Sequence, residues 1–207
     1  MDKFFIRFIM QRSIGSFEDN NFRYDYFMEE KKEEIDSFIK ECENWQKEQA
    51  EILAGKYDLK ALHGKRILYV GDSITADRLG YRGITTLAGK LKAFNAAISA
   101  AQSTDMLRYL YDRIKISKPD VVSVMIGTND ALIISNGKNV VSPEEYRHNL
   151  SEIIRISKEA GAVVIVSTLP PCNEKLFAEI YDTNSSKLTN DSIDTFRSTY
   201  CDPGDSS

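Results

Sequence analysis

Apolar residues recur along the chain with two different periods, and the change between them organises the sequence. From Tyr26 to about Leu53, Met28, Ile35, Phe38, Ile39, Cys42, Trp45, Ile52 and Leu53 recur at spacings of three, four and seven. That spacing predicts an amphipathic helix. Its polar face carries the run EEKKEE, and Gly55 is placed to end it. The helix is expected to pack on its own domain, with a partner-binding role as the alternative. After it come short apolar runs bounded by turn residues, which read as buried strands. These are RILYV (66–70), AFNAAIS (93–99), PDVVSVMIG (119–127) and AVVIVSTLPP (162–171).

Helical patterns lie between the runs. GYRGITTLAGKL is one. STDMLRYLYDRI is a second, with Met106, Leu107, Leu110 and Ile114 on one face and Ser103 or Thr104 as its cap. A third begins at Ser142 as N-cap, with Pro143 at N1 and Glu145 at N3, and closes at Gly161. Strands alternating with helices imply a parallel sheet covered on both faces. A ligand site in such a sheet lies beyond the carboxyl ends of its strands. Three strand ends carry polar clusters: Gly71-Asp72-Ser73, Ser99 to Ser103, and Gly127-Thr128-Asn129-Asp130. They are expected to meet in one crevice.

Composition narrows what that crevice holds. The 207 residues suit one domain with an appendage, and a net charge of −4 does not suggest a nucleic-acid partner. Three dispersed cysteines, Cys42, Cys172 and Cys201, argue against a disulfide framework or a zinc site. Arg7 interrupts the apolar N-terminal run MDKFFIRFIM, and no segment reaches the length of a membrane span. A soluble cytoplasmic protein is expected, with a weak amphipathic membrane contact at the extreme N-terminus left open. No GxGxxG or GxxxxGK[ST] follows a strand, so a flavodoxin-like nucleotide site is poorly supported. No cluster has metal-ligand spacing, and no metal or cofactor is expected.

Acyl transfer suits the residues better, since it needs a nucleophile and donors aimed at a developing oxyanion. Ser73, between a strand and a helix, is placed as nucleophile, and its own N–H can serve the oxyanion. Asn129 offers a side-chain amide, and the loop around Ala100 a backbone N–H. Asp72 and Asp130 are expected to hold their loops by accepting backbone hydrogen bonds.

GDSIT, followed some fifty residues later by GTND, resembles the GDSL or SGNH family of serine esterases and lipases, and NAAISAAQST falls where that family has its second block. The resemblance runs from about residue 65 onward. It implies a three-layer, flavodoxin-like α/β fold with a parallel sheet, preceded by an N-terminal helical extension. The division is 1–60 for the extension and 61–207 for the hydrolase-like domain. Ser73 matches the nucleophile and Asn129 the oxyanion asparagine. Ala100 falls where the family has a glycine acting through its N–H, which alanine can replace only at negative φ. The implied activity is cleavage of small acyl or acetyl esters, with a small-molecule ester or acylated carbohydrate as substrate, through an acyl-enzyme on Ser73. The family's fourth block, Asp-x-x-His, has no counterpart. The two histidines, His63 and His148, read as surface residues, so the expectation is a sheet without its last strand and a triad without its base. A truncated or catalytically silent ligand-binding protein of the same fold is the alternative.

Overall fold

The computed structural model describes residues 32–77, 79–181 and 184–199. The first six predicted residues of the N-terminal helix, and the tail CDPGDSS, lie outside them. The helix itself, α1, spans Lys32–Lys56. A 3-10 turn at Lys60–Leu62 leads into β1 (Arg66–Gly71). Then follow α2 (Ser73–Ala76), α3 (Tyr81–Gly89), β2 (Lys92–Asn95), α4 (Ser103–Ser117) and β3 (Val121–Met125). The remaining elements are β4 (Ile133–Ile134), α5 (Pro143–Glu159), β5 (Val163–Val166), α6 (Glu174–Ile180), β6 (Ser186–Lys187) and α7 (Asn190–Ser198).

The sheet has the order β2-β1-β3-β5, and every pairing is parallel. Arg66 pairs with Lys92, Ile67 with Val121 and Val121 with Val163, so all strand entries lie at one end and all exits at the other. One face buries Leu68, Val70, Val122 and Val124 against Met106 and Leu110 of α4, Leu150 and Ile153 of α5, and Ile193 and Phe196 of α7. On the other face Ile67, Tyr69 and Val121 pack against Tyr81 and Leu91. The Tyr69 hydroxyl is 2.7 Å from Thr85 Oγ1 and 3.2 Å from Thr86 Oγ1, which satisfies a buried phenol and pins α3 to the sheet. The α/β three-layer arrangement with a helix ahead of it is therefore the observed fold.

Several boundaries differ from the sequence reading. Gly55 lies inside α1, because Tyr57 N–H still reaches the Leu53 carbonyl. Helix α1 packs on α3, and Gln46 donates to the Gly80 carbonyl. Phe38, Gln46 and Ala50 are buried, while Trp45 and Ile52, assigned to the apolar face, are 50% and 62% exposed. A rotation toward Gln46 gives the helix a polar tie to the α3 N-terminus, which hydrophobic spacing cannot register. The cap of α4 is Gln102, not Ser103 or Thr104. Its backbone carbonyl accepts from Asp105 N–H at 3.1 Å, and the Asp105 carboxylate accepts from Gln102 N–H at 3.0 Å. Strand β2 stops at Asn95, whose side chain turns the chain by accepting from Ala97 N–H. Strand β5 ends at Val166, well before Pro171. The Ser142 cap is as expected, with Oγ accepting from Glu145 N–H and Pro143 opening the helix.

Gly71 ends β1 where no side chain has room. A Cβ there would sit 2.2 Å from Thr75 Oγ1 and 2.3 Å from the Met125 carbonyl oxygen. One of those neighbours is backbone of the adjacent strand, so relief would require moving β3. Gly71→Ala is expected to lower unfolding free energy by about 3 kcal/mol, measured by urea denaturation.

Candidate functional site

The crevice is built where β1, β2 and β3 run out. Asp72 caps α2, its Oδ1 accepting from Ile74 N–H at 3.0 Å, and Ser73 is the first residue of that short helix. Thr75, fully buried behind it, donates to the Met125 carbonyl at 3.2 Å and lies 3.0 Å from the Tyr81 hydroxyl. The turn carrying Ser73 is thus fastened to β3 below and α3 beside it. Ser73 itself is half-buried, and among the described residues nothing hydrogen-bonds its Oγ.

The second cluster is tied to the first and the third. Ile98 N–H donates to the Gly71 carbonyl at 3.1 Å, and Asn129 Nδ2 donates to the Ala101 carbonyl at 2.9 Å. The three strand-end clusters therefore do converge. Between those two anchors the chain turns at Ala100, with φ of +64°. Alanine at this position was expected to need a negative φ, and the structure places it in the left-handed region that favours glycine. Ala100 is exposed, so its methyl meets solvent and only the backbone is strained.

Behind the rim lies a polar network. The Asp130 carboxylate, fully buried, accepts from Ser103 N–H through Oδ1 and Oδ2, at 3.0 and 3.1 Å, and from the Ser103 hydroxyl. Asn149 Nδ2 donates to Ser103 Oγ at 3.0 Å and Thr104 Oγ1 at 3.1 Å. Burial pushes the Asp130 carboxyl up, against the Ser103 bonds that hold it down. Asn149, in the interior of α5, completes this network; no motif in the sequence marks it. Gly127 sits at φ of +129°, with the Tyr146 ring where a Cβ would go, and the Tyr146 hydroxyl donates to the Ile126 carbonyl at 2.8 Å. The third cluster is thus held by α5 as well as by β3.

Both aspartates act as loop holders, and both are costly to ionise. Asp72 is pushed up to about 6, chiefly by burial and further by the charge of Asp130, while bonds from Ile74 and Thr128 pull the other way. Its Oδ2 and Thr128 Oγ1 are both buried without a hydrogen-bond partner, so burial outweighs what holds the carboxyl down. Neither histidine joins the crevice. His63 is exposed just before the entry of β1, about 20 Å of strand length from Ser73. His148 is exposed on α5 beside Glu152. No group of three or more potential metal ligands occurs among the described residues.

A family model, the GDSL-like lipase/acylhydrolase family, matches residues 69–198. The chain belongs to that family. The match takes in all three clusters of the crevice. Over 91 residues the chain is 36% identical to an uncharacterized lipoprotein, YqeF, of Bacillus subtilis (strain 168). That alignment spans 44% of this chain and 37% of the relative's length. Among solved structures, a Bacteroides fragilis NCTC 9343 protein assigned to the acylhydrolases superposes with a TM-score of 0.52 at 17% identity, over 66% of this chain and 61% of that one. The acetyl xylan esterase AlAXEase superposes with a TM-score of 0.50 at 17% identity, over 64% and 69%. At such identities the structures share the fold, and the chain spans less than two thirds of the Bacillus and Bacteroides proteins.

Two expected outcomes test this account of a GDSL crevice. Ala100→Gly is expected to stabilise the protein by about 1 kcal/mol in urea denaturation, because it removes left-handed strain. The second concerns pH. A carboxyl whose folded pKa lies above its unfolded value stabilises the fold below the unfolded value, and that contribution is lost as pH rises through the folded one. For Asp72 the window runs from 3.8 to about 6. Relative to Asp72→Asn, the native chain is expected to lose about 3 kcal/mol of stability across it, read from urea curves at pH 4 to 7.

Proposed function

We propose that the protein is a serine acylhydrolase that cleaves small acyl or acetyl esters through an acyl-enzyme on Ser73. The observation that carries the reading is the junction of the three clusters: Ser73 on a turn fixed to β3, and Asn129 and Ala100 on the loops bonded to it and to each other. In this reading the Ser73 hydroxyl attacks the ester carbonyl. The N–H groups of Ser73 and Ala100 and the Asn129 side-chain amide receive the oxyanion. Asn129 donates one hydrogen to Ala101, which orients the amide and leaves its second hydrogen for the substrate.

A serine hydroxyl needs a proton acceptor to attack at neutral pH. His63 and His148 are not placed to serve, and this observation favours the alternative of a crevice that binds an ester without turning it over. The oxyanion donors alone would leave a residual acceleration of about 10³–10⁴ over water.

Intact-mass detection of a fluorophosphonate adduct separates the two. The expected result is one adduct on the native chain and none on Ser73→Ala, with p-nitrophenyl acetate turnover falling at least about 10³-fold in the variant. Acetylated xylan is included among the esters assayed, since one fold neighbour is named an acetyl xylan esterase. An unlabelled native chain that still binds acetylated oligosaccharides would establish the silent reading.

A further inference from the structure

The end of the sheet opposite the crevice collects positive charge from parts of the chain that are far apart. The segments 56–66, 89–93, 115–121 and 158–163 hold nine lysines and arginines against three acids, in a chain whose net charge is −4. The pairing register brings them together: Lys92 N–H donates to the Lys65 carbonyl, Gly64 N–H to the Lys90 carbonyl, and Asp120 N–H to the Arg66 carbonyl. Val163 N–H continues the row to the Asp120 carbonyl. All three acids are engaged locally. Asp58 accepts from Lys60 N–H, Asp120 accepts from Arg66 N–H, and Glu159 pairs with Arg155. Among the described residues, only Arg66 of the nine cations has a carboxylate within ion-pair distance, at 3.8 Å. Lys60, Lys65, Lys90, Lys92, Lys115 and Lys118 are exposed.

Helix polarity accounts for part of this. Lys56, Lys115 and Lys158 lie in the last turns of α1, α4 and α5, where a cation offsets the helix dipole. Lys90 and Lys118 are the C-cap residues of α3 and α4 and share that reason, whereas Lys65 and Lys92 lie at the entries of β1 and β2 and have none. Apolar side chains are also exposed among the cations: Tyr57 at 52%, Ile116 at 66% and Val163 at 64%. A depression of about 500 Å³ opens between Arg66, Lys115, Lys118, Asp120 and Gly161.

We propose that this end of the protein docks on an anionic lipid bilayer. Exposed lysines attract the headgroup charge, and Tyr57, Ile116 and Val163 enter the interface. The composition favours a bilayer over a nucleic acid. Eight of the nine cations are lysines, and the single arginine is already paired, so the bidentate and stacking contacts that arginine gives are lacking. The parallel sheet then fixes the orientation. The entries of the strands face the membrane, and the crevice with Ser73 faces the aqueous side.

Co-sedimentation of the full chain with vesicles tests this. Binding is expected to vesicles of phosphatidylcholine and phosphatidylglycerol at 3:1, to fall as salt rises, and to be absent with phosphatidylcholine alone. Lys65→Glu/Lys92→Glu/Lys118→Glu is expected to weaken partitioning by at least about a hundredfold. Lys40→Glu/Lys138→Glu/Lys175→Glu, with the same change in net charge elsewhere, is expected to retain most of it. Ile116→Ser/Tyr57→Ser is expected to weaken it about tenfold. Thermal melts confirm that each variant folds. The proposal is overturned if the native chain ignores anionic vesicles at low salt or if the two charge-reversal triples bind alike. It is equally overturned if the chain retains a DNA duplex but no vesicle.

Discussion

A single buried carboxylate, Asp130, holds the crevice in register. Removing a carboxylate from water is costly unless its oxygens are satisfied, and here Ser103 satisfies them with both its N–H and its hydroxyl. Ser103 is also the first residue of α4, so the carboxylate sits against the positive end of a helix dipole. Asn149 then bonds to the same hydroxyl from α5. Two helices and the exit of β3 are thereby locked at one point. The neighbours of that point inherit its position: Asn129 is turned toward Ala101, Gln102 is held in its capping box, and the slack is taken up at Ala100 as a positive φ. The strain at Ala100 is thus the local cost of fixing the chain on both sides of it.

The sequence made the fold legible wherever one residue type forces one geometry. Ser142-Pro143-x-Glu145 marks a helix start, and four apolar runs separated by helical patterns mark a parallel sheet. The crevice was legible because GDS, the second block and GxND each follow a strand. Contacts between residues distant in sequence were hidden. Asn149 lies 46 residues from the hydroxyl it bonds, and nothing in α5 sets it apart from an ordinary polar position. Trp45 fits the apolar spacing of α1 yet faces solvent, because Gln46 bonds to Gly80. The two-residue strands β4 and β6, paired antiparallel as Ile133 with Lys187 and Ile134 with Ser186, are too short to show any period. The cations at the strand entries are spread over about a hundred residues, so no window of sequence shows a basic patch.

The two ends of the molecule have opposite electrostatic character for one topological reason. In a parallel sheet with crossover helices, helix N-termini gather where the strands exit and helix C-termini where they enter. The exit end can therefore stabilise negative charge, whether the Asp130 carboxylate or the oxyanion proposed at Ser73. The entry end tolerates lysines in the last helical turns. The additional lysines of the strand entries enlarge a bias that the fold already has.

The ties that shape the crevice have a simple place in the order of the chain. Gly71 to Ile98, Thr75 to Met125, Asn129 to Ala101, and Asp130 to Ser103 and Asn149 all fall between residues 71 and 149. Everything that orients Ser73 relative to its neighbouring loops is therefore present in a nascent chain before β5, α6 and α7 leave the ribosome. Those later elements bury apolar surface, as Phe196 does against the Tyr146 ring at 4.9 Å. The ties that shape the crevice are thus complete within residues 71–149, and Phe196 supports them from a distance by packing on Tyr146, whose hydroxyl holds the exit of β3.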